Sequence, residues 1–504
     1  MRNSLYAALL LSVSALVALP AAAADLRIGL QDDPDVLDPD QSRSFVGRIV
    51  YTSLCDKLVD ITPELEIVPQ LATAWSWSQD GKVLTMDLRE GVVFHDGTTF
   101  DAEAVKANIE RSKTLPESRR KSEVKSIESV EVTGPYQVTM TLAQPDATLL
   151  AQLADRAGMM VSPTAAAAAG ADFAAKPVCS GPFRFVERVQ QDRIVLEKFA
   201  DYWNADNIHF DKVSFLPIPD TTVRLANLRA GDLDMLERLA ATDAASVKAD
   251  DKLTYADAVS LGYQGITVNI GNGERGNTPI GNEAKLRQAF ELTLDREAIN
   301  QVVFEGAFAA GNQPFPPTSP WYDKSVPIPA RDIAKAKELM KEAGVETLDV
   351  EVQVANNPVQ TQMMQVVQSM ASEAGINVKL KSTEFASLLA DQSAGNFEMS
   401  QVGWSGRVDP DGNIHSFLTC KGGLNDGKYC SEEVDALLNK ARTSNDLATR
   451  KASYDAAEKI LSKDLPIIYL YHPTWIWALD KKIEGFVPYP DGMIRLENVR
   501  LAGQ

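Results

Sequence analysis

Leu348-Asp349-Val350-Glu351-Val352-Gln353-Val354, Ile376-Asn377-Val378-Lys379-Leu380 and Phe397-Glu398-Met399-Ser400-Gln401-Val402 are three strand-like runs. Between them lie Val359 to Ala374, stopped by Gly375, and Phe385 to Ser393, both with helical spacing. Strand, helix, strand, helix, strand at these lengths predicts right-handed crossovers and a largely parallel sheet. Met363, Met364, Val367 and Met370 form one apolar stripe and are expected in the core rather than in a sulfur site. In open α/β sheets ligands lie beyond the carboxyl ends of strands. Directly after Val402 comes Gly403-Trp404-Ser405-Gly406-Arg407-Val408-Asp409-Pro410-Asp411-Gly412-Asn413-Ile414-His415, which crowds an aromatic plate, a cation, carboxylates and an imidazole together. This loop is expected to close one wall of a cleft for a small zwitterionic ligand.

Upstream, Glu283 to Phe304 reads as helix in two pieces, with Asp295 capping the second, and Asp332 caps a helix stopped by Gly344. The first half is a mixed α/β body. Leu26 to Leu30 begins it as a strand, and the Asp-rich loop Gln31 to Phe45 follows. Its carboxylates lack EF-hand spacing and are expected to be solvated. Leu84, Met86 and Leu88 alternate as in a half-buried strand, Asp101 caps a helix through Arg111, and Gly134-Pro135 turns a hairpin. Thr221 to Ala230 is helical, with Gly231 as its stop. The tail from Ile467 to Leu479 is rich in aromatics (Tyr469, Tyr471, Trp475, Trp477), and Ile483 to Leu501 has to join a body already built.

The chain starts with Arg2, an apolar run from Leu5 to Leu19 and Ala22-Ala23-Ala24, the pattern of a cleaved secretory leader over 1-24. No cysteine lies near the cleavage point, so no lipid anchor is expected. Roughly 480 mature residues exceed what one core supports, and 45% hydrophobic residues supply material for two large lobes. A net charge of -19 argues against nucleic acid or an anionic membrane as partner. Four cysteines allow three pairings. Cys420 and Cys430 flank a glycine-rich turn and are expected to bridge, a loop closure of about 3 kcal/mol in the chain-entropy model. Cys55 and Cys179 are then left as a second pair or as free thiols. None of the four has zinc-site spacing.

Leu71-Ala72-Thr73-Ala74-Trp75-Ser76-Trp77-Ser78-Gln79-Asp80-Gly81, continuing as Leu88-Arg89-Glu90-Gly91-Val92-Val93-Phe94-His95-Asp96-Gly97, closely resembles the signature of the family 5 extracellular solute-binding proteins, the periplasmic components of peptide, nickel and opine ABC importers. Supporting matches are Ser180-Gly181-Pro182-Phe183, Tyr202-Trp203, Leu286-Arg287-Gln288-Ala289-Phe290 with Leu294-Asp295-Arg296, and Gly403-Trp404 with Asp409-Pro410. The resemblance covers essentially the whole mature chain. It implies the two-lobed α/β periplasmic binding protein fold: lobe I over 25-267 plus 479-504, with a subdomain at about 50-175, and lobe II over 268-478. The hinge is expected at Val268 to Ile270 and Trp477 to Leu479. A periplasmic monomer is expected that takes a dipeptide, short peptide or peptide-like amino-acid conjugate to an inner-membrane ABC permease, with no cofactor.

In peptide-binding relatives an aspartate after the Gly-Trp pair receives the ligand's ammonium, and Asp409 is the matching position, unless it only starts an Asx-Pro turn. Arg407 stands where an acidic residue is common, which points to a ligand with an extra carboxylate. Trp404 is expected to supply apolar contact, and Phe45 a contact from lobe I. His415 raises a second reading, binding of a nickel or other metal complex, although a lone imidazole is a poor metal site. Asp409, Asp411 and Asn413 imitate a calcium loop, but Cys420 stands where its closing Glu belongs. Among enzyme motifs, neither G-x-S-x-G, H-E-x-x-H nor a P-loop occurs. A periplasmic hydrolase on the same lobes is the alternative from another class.

Overall fold

The computed structural model describes residues 24-503. The expected leader falls outside the described residues apart from Ala24, and no described helix is long and apolar enough to cross a membrane.

Two large sheets organise the chain. The first has seven strands in the order Leu253–Val259, Thr474–Asp480, Met235–Leu236, Asp25–Leu30, Lys212–Pro217, Arg193–Lys198 and Phe183–Val189. Asp25–Leu30 runs parallel to both its neighbours, and the other pairings are antiparallel. The second has six strands, Ala309–Ala310, Ile467–His472, Tyr263–Val268, Met399–Trp404, Leu348–Ala355 and Ile376–Thr383. Here Leu348–Ala355 is parallel to its two neighbours through the crossover helices Pro358–Ser372 and Phe385–Ala394. Tyr263–Val268 pairs antiparallel on both sides, so the sheet is mixed rather than largely parallel. The methionine stripe packs as expected, with Met363, Met364 and Val367 buried and Met370 against them.

The crossings between these sheets fall earlier than the expected hinge segments. Tyr263–Val268 belongs wholly to the second sheet and Thr474–Asp480 wholly to the first. The chain therefore changes sheet at Ser260 to Gly262 and at Pro473: the expected first crossing, Val268 to Ile270, lies at the far end of a strand that already belongs to the second sheet, and Trp477 to Leu479 lies inside a strand of the first. Ile483, Met493, Ile494, Leu496 and Val499 return to the core of the first sheet.

A four-stranded antiparallel sheet, Ala72–Trp77, Val83–Leu88, Gln137–Leu142 and Ile127–Gly134, carries its own core. Helix Ala102–Thr114 covers it and is capped by Asp101, whose side chain accepts from the Ala104 amide at 2.9 Å. Asp101→Ala should cost about 1 kcal/mol and lower the melting temperature by about 1–2 °C; an unchanged melt would show that another group takes over the cap.

Both disulfides form: Cys420 with Cys430 and Cys55 with Cys179. The second closes 124 residues and ties the end of helix Phe45–Leu54 to the segment leading into Phe183–Val189.

The aspartate loop is not solvated as its composition predicts. Asp32, Asp33, Asp38 and Asp40 are all buried. Arginines explain most of this: Arg111 grips Asp38 at 2.6 Å and Asp40 at 2.5 Å, and Arg188 meets Asp33 at 2.9 Å.

Candidate functional site

Strand ends build a cleft. Gln31 and Asp32 follow Asp25–Leu30, Ala355 and Asn357 end and follow Leu348–Ala355, and Gly403, Trp404 and Ser405 end and follow Met399–Trp404. Together with Arg43, Phe45, Arg238, Gln264, Gln401 and Phe417 they line one chamber. Gly403 and Trp404 are still in the strand, so the loop proper starts at Ser405. A second chamber shares Gln31, Arg238, Gln264, Asn357 and Gln360 with the first and adds Thr221, Arg224, Phe304, Phe308, Tyr471 and Trp475.

Arg238 stands between the chambers and is the residue that sequence reasoning missed. Its φ is +51°, a left-handed conformation uncommon outside glycine, and such strain collects at functional sites. The turn is held from behind: Arg224 donates to the carbonyl of Arg238 at 3.0 Å and to that of Ile218 at 2.5 Å. Phe45, the first residue of its helix, stacks on Trp475 with centroids 4.6 Å apart, and the Arg238 guanidinium lies 4.5 Å and 5.3 Å from the two rings. Its one carboxylate neighbour within 4 Å among the described residues is Glu237, 3.5 Å from Nε. Glu237 already accepts from the Gln31 amide at 2.6 Å. The charge is thus left largely uncommitted in a half-enclosed cleft, where it acts on a ligand more strongly than in bulk water.

Thr221 Oγ1, Arg224 Nε, Arg238 Nε, Asn357 Nδ2 and Gln360 Oε1, all from residues lining the second chamber, have no hydrogen-bond partner among the described residues. A buried polar group left unpaired costs about 1–3 kcal/mol, so four donors and one acceptor here favour a polar ligand. Asn357 also caps helix Pro358–Ser372, accepting from the Gln360 amide at 2.9 Å, and turns the positive end of that helix to the cleft.

The loop after Trp404 is used differently from its composition. Asp409 does not line the cleft; Arg450 grips its carboxylate in bidentate fashion at 2.9 and 2.5 Å. Arg407 is buried, lies 4.1 Å over the Trp404 ring and pairs with Asp155 at 3.1 Å. His415 sits in helix Asp411–Leu418, bonded to Asn439 at 3.0 Å, and burial lowers its pKa, which keeps it neutral. Asp411 pairs with Arg442 at 2.5 Å. These charges are consumed inside the protein. Of the expected contacts, the structure brings only Trp404 and Phe45 to the cleft. The signal in Phe45 was its place at the end of the first βα loop; Arg238 and Arg450 carry no local sequence mark.

The profile described as bacterial extracellular solute-binding proteins, family 5 middle, matches residues 66–425. The chain belongs to this family. The glutathione-binding protein GsiB of Pectobacterium atrosepticum is 28% identical over 503 residues, covering 97% of this chain and 96% of that one. Among solved structures, the DppA periplasmic binding protein from Helicobacter pylori in complex with peptide STSA is 25% identical with a TM-score of 0.85, covering 95% of this chain and 98% of that one. The dipeptide binding protein from Pseudoalteromonas sp. SM9913 in complex with Met-Leu superposes at a TM-score of 0.87 with 24% identity over 95% of this chain and 100% of that one. The two-lobed periplasmic binding protein fold follows from these likenesses.

In this solute-binding protein, side chains also tie together segments far apart in the chain. Arg43 pairs with Asp426 at 2.6 Å and donates to Ser393 at 2.8 Å, Arg48 donates to Ser405 at 2.7 Å, and Arg442 donates to the carbonyl of Ser122 at 3.0 Å. Asp155 binds both Arg48, 107 positions before it, and Arg407, which pairs with it at 3.1 Å.

Proposed function

We propose that the protein captures a short peptide or peptide-like amino-acid conjugate, of the kind glutathione represents, and delivers it to an inner-membrane ABC permease. Arg238 carries this reading. An uncommitted guanidinium on an aromatic shelf, facing a helix N-terminus across two joined chambers, is suited to a ligand carboxylate in bidentate fashion. Trp404, Phe45 and Phe417 supply apolar area, and the amides of Gln264, Gln360, Asn357 and Gln401 match peptide groups without imposing a side-chain code. GsiB, named for glutathione, and a DppA holding a peptide support this ligand class.

The lobes divide at Ser260 to Gly262 and at Pro473, and hinge closure there brings the two lining sets together. No bond is broken; closure excludes water so that the ligand's charge pairs strengthen. The protein acts as a periplasmic monomer after loss of its leader. Metal-complex binding loses its support here, since His415 is sealed against Asn439 and away from the cleft.

Small-angle scattering with and without glutathione or the peptide Ser-Thr-Ser-Ala tests capture by closure. The radius of gyration should fall on saturation, and mass spectrometry should return the ligand intact. An unchanged radius with saturating, calorimetrically verified ligand would count against hinge closure, and a cleaved ligand would count against pure binding.

A further inference from the structure

Four of the five aspartates between Gln31 and Phe45 have settled partners. Asp33, Asp38 and Asp40 meet arginines, and Asp35 accepts from Ser42, Ser44 and the Arg43 amide at 2.7, 2.7 and 2.8 Å. Asp32 differs. It is 4% exposed, lines the first chamber, and accepts one hydrogen bond, from the Gln31 side chain at 3.3 Å. The charged groups facing it are Arg238, Arg224 and Glu237, and none is hydrogen-bonded to it among the described residues. Arg224 is occupied by the carbonyls of Ile218, Pro219 and Arg238, and Arg43, which lines the same chamber, is paired with Asp426. Burial pushes the Asp32 carboxyl up to about 6 in spite of the nearby Arg238.

A carboxylate held dry and weakly bonded beside a binding cleft is stabilised by an incoming cation far more than one in water. The same chamber is also lined by Phe45, Trp404 and Phe417, which help keep the carboxylate dry. We infer that Asp32 receives the ammonium group of the ligand, so that Asp32 and Arg238 read opposite charges of one zwitterion across the first chamber. This deepens the peptide-like function above and rests on it. It also moves ammonium recognition from the loop at Asp409, whose carboxylate Arg450 has taken, to the first strand's end.

The sign of the pH dependence follows. Above about pH 6 Asp32 is ionised and ready for an ammonium; below it the proton must leave first, so affinity should fall by up to about tenfold per pH unit.

Calorimetry with glutathione and Ser-Thr-Ser-Ala, each against its des-amino counterpart (glutaryl-cysteinyl-glycine and 3-hydroxypropanoyl-Thr-Ser-Ala), tests the assignment. Loss of the amine should weaken binding to the native protein at least about tenfold. Asp32→Asn should weaken the amine-bearing probe alike, spare the des-amino probe, and flatten the dependence between about pH 5 and pH 7. If neither amine-bearing probe binds the native protein, the peptide-like function is overturned and the role of Asp32 with it. If one binds but removal of its amine changes nothing, or Asp32→Asn weakens both forms equally, only the role of Asp32 is overturned. The comparison on native protein requires no variant to fold.

Discussion

Asp155→Ala should lower the stability of the folded chain by about 3–5 kcal/mol, the cost of stranding buried charges whose partner is removed. Asp155 accepts from Arg48, pairs with Arg407 at 3.1 Å, and takes the Arg156 amide at 2.6 Å. Both guanidinium partners are nearly sealed, at 3% and 6% side-chain exposure. Without the carboxylate they face one another and Arg156, which is fully buried, lies 3.8 Å from Asp155 and donates to the Ser42 carbonyl at 2.9 Å. Burial alone would raise the carboxyl, yet Arg407, Arg48 and Arg156 together hold it well below the usual carboxylate range. Its folded pKa being depressed, its contribution is complete above the unfolded value of about 3.9 and is lost as pH falls through the folded value. Urea unfolding at neutral pH should show the loss in full. The gap between native and Asp155→Ala proteins should narrow below about pH 4. A variant within about 0.5 kcal/mol of native stability would mean that the desolvation cost of this cluster cancels its attraction. On the proposed division at Ser260 to Gly262 and Pro473, Arg407 and Asp155 belong to different lobes, and the variant should then also show a larger radius of gyration without ligand.

Local order was legible in the sequence wherever one residue determines it. Asp101, Asp295 and Asp332 cap the helices they were expected to cap, and Gly231 ends Thr221–Ala230 in a left-handed conformation with φ of +83°. The alternation from Leu348 to Val402 gave three parallel strands, and their carboxyl ends do face the cleft. What failed were questions of partnership. Asp409 reads as a free carboxylate until Arg450, 41 positions away, folds onto it. The aspartates after the first strand read as solvated because nothing local announces Arg111 or Arg188. Tyr263–Val268 is plainly a strand, but its composition does not say which sheet will hydrogen-bond it, and the crossings moved accordingly. Arg238 was invisible for a further reason. Its role depends on a positive φ imposed by Arg224 from behind and on a ring pair, Phe45 with Trp475, assembled from opposite ends of the chain.

Arg238→Gln should weaken binding of glutathione or Ser-Thr-Ser-Ala at least about a hundredfold, or roughly 2.8 kcal/mol, since truncating a buried ligand-pairing charge costs about 2–5 kcal/mol. The melting temperature should hardly move, because among the described residues the guanidinium makes no hydrogen bond and loses only its contacts with Phe45 and Trp475 and a long ion pair, 3.5 Å, with the adjacent Glu237. Arg238→Lys separates charge from geometry: an ammonium keeps the attraction but not the planar fork, so about a tenfold loss is expected. On native protein, probes carrying a C-terminal amide in place of the carboxylate should lose as much as Arg238→Gln loses with the acid, and the two losses should not add. Near-native affinity of Arg238→Gln would remove Arg238 from the site. Additive losses would mean that the ligand carboxylate rests elsewhere, with the N-terminus of helix Pro358–Ser372 and its Asn357 and Gln360 amides as the remaining positive wall of the cleft.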